Sequence, residues 1–332
     1  MYKDLIKDSK YDFLRTNEKL NDNIALLTLG GSIAYGTNNA NSDIDIRGIR
    51  LNSREEILTM NCDDKPYENK ELDVVVYPLK QIVKLLTNCN PNTIEILGTK
   101  EEHILYMNEV GKMIRDNKKL FLSKIAYHSF GGYAISQLRR LQNALARDTY
   151  NIDQKEEHIL GAMKRAMVAF NDKYEKTNLN IYLDKSTNPD LTMELNMDIN
   201  LTKYPVRDMF GILSEMSNII KDYNQIKHRN NKKTKESMYK HAMHLIRLYL
   251  MGLDVLEREE INTYRTYDKD FLTDIREEKY TFEYIFELVD YYEKRFEYAY
   301  KHTSLPDKPD HKKINELISE INLKQILIMK GN

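Results

Sequence analysis

The order of apolar and polar residues predicts strands only within the first hundred residues of the chain. Residues 24–29 form an almost wholly apolar run that stops at a glycine pair, which is typical of a buried strand followed by a turn. Residues 42–49 alternate with period two, which predicts a strand with one buried face, and the valine-rich residues 72–77 predict a strand inside a sheet. Helical spacing in residues 2–18 and 79–86 completes a mixed α and β segment.

Beyond about residue 103 the apolar residues recur at helical spacing. Four long segments show this pattern: residues 156–174, 206–227, 236–257 and 282–300. Residues 177–205, with two prolines and many Asn and Asp, predict a long connection or a small insertion. We therefore predict an α+β protein, in which a small mixed-sheet domain over residues 1–115 precedes an all-helical domain over residues 116–332.

Composition excludes several classes of protein. With 41% hydrophobic and 30% charged residues the chain should fold, and its net charge of −1 means that any basic surface for nucleic acid must be local. No apolar run approaches the roughly 20 residues that a membrane helix needs, and no signal peptide is evident. The two cysteines, Cys62 and Cys89, lack the spacing of a metal site or a disulfide framework. We expect a cytoplasmic protein without a membrane partner, and its oligomeric state stays open.

Gly30, Gly31 and Ser32 end the first predicted strand and have the character of a phosphate-binding turn. Glycines let a backbone approach a ligand closely, a helix that begins after them directs free N–H groups at phosphate oxygens, and Ser32 adds a hydroxyl donor. Residues two apart on a strand share a face, so Asp43 and Asp45 would present two carboxylates together. Two like charges need a cation, and carboxylate oxygens suit Mg²⁺.

A third carboxylate would complete such a site. Asp73 opens the valine-rich strand, and a neighbouring strand could bring it beside the pair Asp43 and Asp45, with Glu71 as the alternative two residues earlier. Three carboxylates beside a phosphate-binding turn are what two-metal phosphoryl transfer requires. The sequence therefore predicts Mg²⁺ or Mn²⁺ as cofactor and a nucleoside triphosphate (NTP) as donor substrate.

These motifs resemble a known family. A Gly-Gly-Ser at residues 30–32 followed by Asp-Ile-Asp at residues 43–45 is similar to the signature of the DNA polymerase beta superfamily of nucleotidyltransferases. Longer segments resemble the branch labelled RNA-repair-pathway predicted nucleotidyltransferases: residues 31–37 (GSIAYGT), 42–48 (SDIDIRG), 73–77 (DVVVY), 90–95 (NPNTIE) and 240–247 (KHAMHLIR). The resemblance implies a polymerase-beta-like fold with a small mixed sheet, metal binding by Asp43, Asp45 and Asp73, and NTP phosphates held by Gly31 and Ser32. We expect the helical domain to close over the cleft.

Several cations are further candidates for binding the nucleotide. Lys240, His244 and Arg247 share one face of a predicted helix and could reach the triphosphate, the alternative being a solvated basic face. Arg47 and Arg50 could contact phosphate or could balance the charge of the aspartates.

The acceptor of the nucleotide is less well defined than the donor. A basic run over residues 227–235 and the family context favour an RNA terminus, with tRNA as one candidate, although such a run is more often a solvated loop. The alternatives are nucleotidylation (AMPylation) of a protein or a small molecule, which needs no basic groove, and a non-catalytic module that binds nucleotide or RNA.

Overall fold

The computed structural model describes residues 2–40, 42–59, 65–149, 177–187, 193–201, 203–228 and 234–330, together with residues 160–161, 163–164, 167–168 and 170–174. The strands are β1 Ile24–Leu29, β2 Ile46–Arg50, β3 Tyr67–Asn69, β4 Val74–Pro78, β5 Ile104–Met107, β6 Asn180–Lys185 and β7 Met193–Asp198. The numbered α-helices are α1 Phe13–Thr16, α2 Gly31–Tyr35, α3 Arg54–Leu58, α4 Leu79–Thr87, α5 Pro91–Ile94, α6 Glu109–Asp116, α7 Ile125–Thr149, α8 Met209–His228, α9 Lys235–Arg258, α10 Lys269–Arg276, α11 Phe282–His302 and α12 His311–Lys330.

Strands β1 to β5 form one mixed sheet in the order β3, β4, β2, β1, β5. β2 and β4 run parallel with Ile46 opposite Val74, and the other neighbours in this sheet are antiparallel. β1 is buried along its whole length and β4 alternates buried and half-buried positions, as an interior strand with two packed faces should. The prediction of a small mixed sheet followed mainly by helices is confirmed.

One apolar core fixes the sheet beneath the predicted site. It joins side chains of β1, β2 and β4 to the N-terminal turns and to Ile33 of α2. Its fully buried members include Leu27, Ile46 and Val74. Because Ile46 and Val74 are anchored in this core, the residues immediately before them have defined positions at the edge of the sheet.

Two predicted elements differ from the structure. Residues 2–18 form short 3₁₀ turns and the one-turn helix α1, and the Asp8 side chain accepts from Lys10 N at 3.2 Å, a local bond that competes with a continuous helix. The strand predicted over residues 42–49 begins only at Ile46, because the chain before it is still leaving a turn in which Ser42 N donates to Asn39 O. Asp43 and Asp45 therefore precede the strand instead of lying on it.

Contacts divide the chain into two compact units, one of residues 1–138 with 239–332 and the other of residues 139–238. The second unit contains α8 and the antiparallel hairpin β6–β7, which occupies the segment predicted as a connection or insertion. The division into residues 1–115 and 116–332 stays a prediction of domain organisation. Within the parts of the chain that are described, no helix has the length and apolarity needed to cross a membrane.

Candidate active site

Asp45 and Asp73 lie side by side because each precedes one of two paired parallel strands. Ile46 N donates to Asp73 O at 3.0 Å, and Gly30 N donates to Asp45 O at 2.8 Å, so main-chain hydrogen bonds fix both positions. Asp73 has φ +48°, a left-handed conformation that Asp adopts more readily than most residues. The sheet register therefore brings together two of the three predicted carboxylates.

The two carboxyl groups share a hydrogen bond. Burial raises the pKa of Asp45 to about 7, and the hydrogen bond with Asp73 and the charge of Asp73 act in the same direction. The hydrogen bond with Asp45 lowers the pKa of Asp73, helped by the charge of Arg47. Asp43 is exposed, and its charge adds to the rise in the pKa of Asp45. With the pKa of Asp45 raised to about 7, the pair retains one proton up to near neutral pH, as two close carboxylates do.

Arg47 places a guanidinium between these carboxyl groups. Arg47 Nη2 lies 2.9 Å from Asp73 Oδ1 and 3.4 Å from Asp45 Oδ1, and Nη1 donates to Asp73 O at 2.7 Å. The internal cation shows that this edge of the sheet favours positive charge. Arg50, by contrast, is 2% exposed and pairs with the Glu56 carboxylate through two bonds of 2.9 Å.

The glycine turn makes room for these side chains. A Cβ on Gly30 would lie 3.0 Å from Arg47 Cγ, and Gly31, at φ +54°, packs against the Asp45 carboxylate. α2 begins at Gly31, as predicted, and ends at Gly36, whose φ of +78° and contact with the Tyr264 ring both exclude a side chain. The turn and Asp45 therefore form one closely packed unit.

Helix α9 brings its basic face to the end of α2. Arg247 lies with its guanidinium 3.4 Å from the centre of the Tyr35 ring, and it is 8% exposed. Burial lowers the pKa of Arg247, and the charge of Arg265 lowers it further. Arg265 N in turn donates to Tyr35 O at 3.0 Å, which joins residues after α9 to α2.

Lys240 and His244 occupy the preceding turns of the same face of α9. Lys240 is exposed and His244 is partly buried. Burial lowers the pKa of His244 to about 4, and the charges of Lys240, His241 and Arg276 contribute. Arg276 Nη1 donates to Thr37 O at 2.6 Å, so a further cation, with no signal in the sequence, lies beside the residues that follow α2.

A metal ion would find oxygen ligands at this edge of the sheet. Across the described ranges, however, no group of three or more His, Cys, Asp and Glu side chains is arranged to hold an ion. Asp45 and Asp73 fit a divalent cation because they share a proton and contact a guanidinium, both of which a metal can replace. Five residues of the basic run, 229–233, lie outside the described residues.

A comparison with known protein families identifies one that part of the chain matches. The family model described as "RlaP: RNA repair pathway DNA polymerase beta family" matches residues 6–167. Over these residues, just under half of the chain, the protein resembles that family. No curated protein and no solved structure matches the chain.

The match confirms the resemblance drawn from residues 30–32 and 43–45, and the family suggests a polymerase-beta-like nucleotidyltransferase. The sequence did not single out Glu95 or Tyr35 as site residues. The structure places Glu95, 8% exposed, within electrostatic reach of Asp45 and Arg47. The only sequence signal for both residues was that they lie inside segments resembling the family.

Proposed function

We propose that this protein is a metal-dependent nucleotidyltransferase that moves a nucleoside monophosphate from an NTP to an acceptor hydroxyl and releases pyrophosphate. The observation that carries the proposal is the Asp45–Asp73 pair, hydrogen-bonded at the ends of paired parallel strands and packed against the Gly30–Gly31 turn. A glycine turn can receive phosphate, and carboxylates beside it can hold the cation that phosphoryl transfer needs. The family match supports the same reaction class.

Asp45 and Asp73, with the nearby Asp43, would hold Mg²⁺ or Mn²⁺. When bound, the cation supplies charge neutralisation at the phosphates and lowers the pKa of the attacking hydroxyl. Asp45 and Asp73 would hold the cation after losing their shared proton, and the guanidinium of Arg47, which contacts both carboxylates, would be available to pair with phosphate.

The donor triphosphate would bind between the glycine turn and the basic face of α9. The turn at Gly30 and Gly31 would bring the main chain close to the phosphates, and Ser32 would offer a hydroxyl. Lys240 and Arg247 would supply positive charge from α9, and His244, whose pKa is lowered to about 4, would be a neutral hydrogen-bonding group beside them. These residues hold the leaving pyrophosphate while Asp45 and Asp73 stay at the reacting phosphate.

For the acceptor we propose an RNA terminus, with tRNA as one candidate. The description of the family as part of an RNA repair pathway supports an RNA substrate. A protein or small-molecule acceptor would not require the lysines of residues 227–235. Replacing those lysines with glutamate should therefore weaken transfer to RNA and leave transfer to another acceptor intact.

The experiment is incubation of the full chain with each α-labelled NTP, Mg²⁺ or Mn²⁺, and total cellular RNA and protein. We expect label on RNA, and a loss of about 10³-fold or more with Asp45→Asn, because the substitution removes a charged ligand. Asp22→Asn, which makes the same chemical change at an exposed position, is the matched control. Label on protein instead would move the acceptor to AMPylation, and equal activity of Asp45→Asn and wild type would refute the catalytic assignment.

A further inference from the structure

Tyr35 occupies the junction between the glycine turn and the helix that carries the basic residues. It is the last residue of α2, about one helical turn after Gly31, and it is 4% exposed. Its ring contacts the guanidinium of Arg247, and its carbonyl accepts from Arg265 N. Tyr35 is thus the side chain through which α2 and α9 meet.

The guanidinium of Arg247 is buried against this ring, and some of its N–H groups have no hydrogen-bond acceptor among the described residues. Within the described part of the chain, its Nε and Nη1 atoms are buried and have no hydrogen-bond acceptor. A buried cation without an anion is costly, and stacking on Tyr35 offsets only a part of that cost. Such an arrangement favours the arrival of an anion, and the triphosphate of the proposed donor has the matching charge and geometry.

Glu95 holds the phenol of Tyr35. The Tyr35 hydroxyl donates to Glu95 Oε2. The main chain of Glu95 is itself fixed, because its carbonyl accepts from Thr263 Oγ1 at 2.6 Å and from Thr99 Oγ1 at 3.1 Å. The ring orientation is therefore set by a residue with a defined position, and it does not depend on Arg247.

We propose that Tyr35 is a positioning residue for the donor nucleotide: its ring fixes the Arg247 guanidinium towards the triphosphate, and Glu95 fixes the ring. The inference rests on the proposed function, since it takes the NTP as the ligand. The aromatic face of Tyr35 orients the Arg247 guanidinium, whereas the hydroxyl holds the ring in place.

The test is equilibrium binding of two probes, the α,β-methylene analogues of the four NTPs and inorganic tripolyphosphate, in the presence of Mg²⁺. We expect Tyr35→Leu and Arg247→Met each to weaken binding at least about tenfold, because both remove the fixed guanidinium. Tyr35→Phe, which keeps the aromatic face, should restore binding to within about threefold of wild type. Glu95→Gln, which keeps an acceptor for the phenol, should behave similarly.

The double variant Tyr35→Leu/Arg247→Met separates positioning from general damage to the fold. If Tyr35 acts through Arg247, the double variant binds no more weakly than Arg247→Met alone. The inference would be overturned if the double variant lost probe affinity by the product of the two single losses. It would also be overturned if Tyr35→Leu bound the probes as tightly as wild type. Tyr35→Met, which fills the space without an aromatic face, replaces the leucine variant if thermal unfolding shows that the latter is not folded.

Failure of the two proposals can be told apart. If the probes bind and the Tyr35 and Arg247 substitutions are coupled as expected, but no acceptor is labelled, the positioning role stands and nucleotidyl transfer is refuted. If label is transferred to an acceptor but the Tyr35 and Arg247 variants lose probe affinity independently, the proposed enzymatic function stands and the positioning role of Tyr35 is refuted. If the wild type binds neither probe, the positioning role is refuted.

Discussion

A Cβ on residue 31 would stand 1.7 Å from Asp45 Oδ2, so Gly31 and Asp45 can occupy their positions only because Gly31 has no side chain. The glycine pair was interpreted from sequence as space for a ligand. The structure shows that it is first of all space for the carboxylate and for Arg47. The glycine turn and the candidate metal ligand Asp45 are consequently coupled, because a side chain added at residue 31 would displace the carboxylate.

Gly31→Ala tests this coupling. The new side chain meets Asp45 and requires φ +54° of a non-glycine residue, so we expect a loss of roughly 1–3 kcal/mol in the free energy of unfolding, together with lost nucleotidyl transfer. Gly132→Ala in α7 is the matched control, since a Cβ there has nothing within 4 Å among the described residues and should add up to about 1 kcal/mol of stability. Urea unfolding and label transfer measure both effects. Equal behaviour of the two variants would contradict the packing argument.

Glu95→Gln should change how stability depends on pH. Burial raises the pKa of Glu95 from 4.5 to about 8, so the folded chain binds more protons than the unfolded chain between those values. The free energy of unfolding of the wild type therefore falls as pH rises through this window. The glutamine variant lacks this term, so its stability relative to wild type should improve between pH 5 and pH 8. Glu18→Gln at an exposed position is the control, and a constant difference for Glu95→Gln across the window would be the opposing result.

His244→Asn should show the opposite pH dependence. Burial, with the charges of Lys240, His241 and Arg276, lowers the pKa of His244 from 6.5 to about 4. Between these values the unfolded chain binds more protons, so the wild type loses stability as pH falls from 6.5 to 4. The variant should gain stability relative to wild type in that range, as measured by thermal unfolding. His311→Asn, on an exposed residue, should not gain in this way.

Metal binding should depend on pH through the Asp45–Asp73 pair. A cation must displace the shared proton, and burial and Asp73 raise the pKa of Asp45 to about 7. Mn²⁺ affinity should therefore rise by about tenfold per pH unit below pH 7 and level off above it. Asp45→Asn and Asp73→Asn should each weaken Mn²⁺ binding at least about tenfold, whereas Asp22→Asn should not. Calorimetry at pH 6 and pH 8 gives the measurement, and equal affinity at both would argue against these ligands.

Sequence periodicity was sufficient for the elements that bury one continuous apolar face. β1, β4 and the long helices α8, α9 and α11 lie within a few residues of their predicted bounds. It failed where local hydrogen bonds set the path, as in residues 2–18 and in the turn before Ile46. Spacing alone could not separate a strand from an extended approach to one, because both present Asp43 and Asp45 in the same alternating order.

The sequence predicted only those parts of the site whose residues adjoin neighbouring strands. Asp45 and Asp73 were paired correctly because each adjoins a strand, and neighbouring strands bring such positions together. The contact between Tyr35 and Arg247, and that between Arg276 and Thr37, join residues more than 200 positions apart. Such contacts are set by how α9 and α10 pack, and no short segment of the sequence encodes that packing.

Main-chain hydrogen bonds, and not the carboxylates, hold Asp45 and Asp73 at the ends of their strands. Amide replacements at these positions should consequently yield folded proteins with an intact turn and an intact face of α9. Such proteins are suited to substrate trapping, since they would engage both substrates and be unable to complete transfer. An acceptor captured in this way from cell extract could be identified directly, by sequencing if it is RNA and by mass spectrometry otherwise.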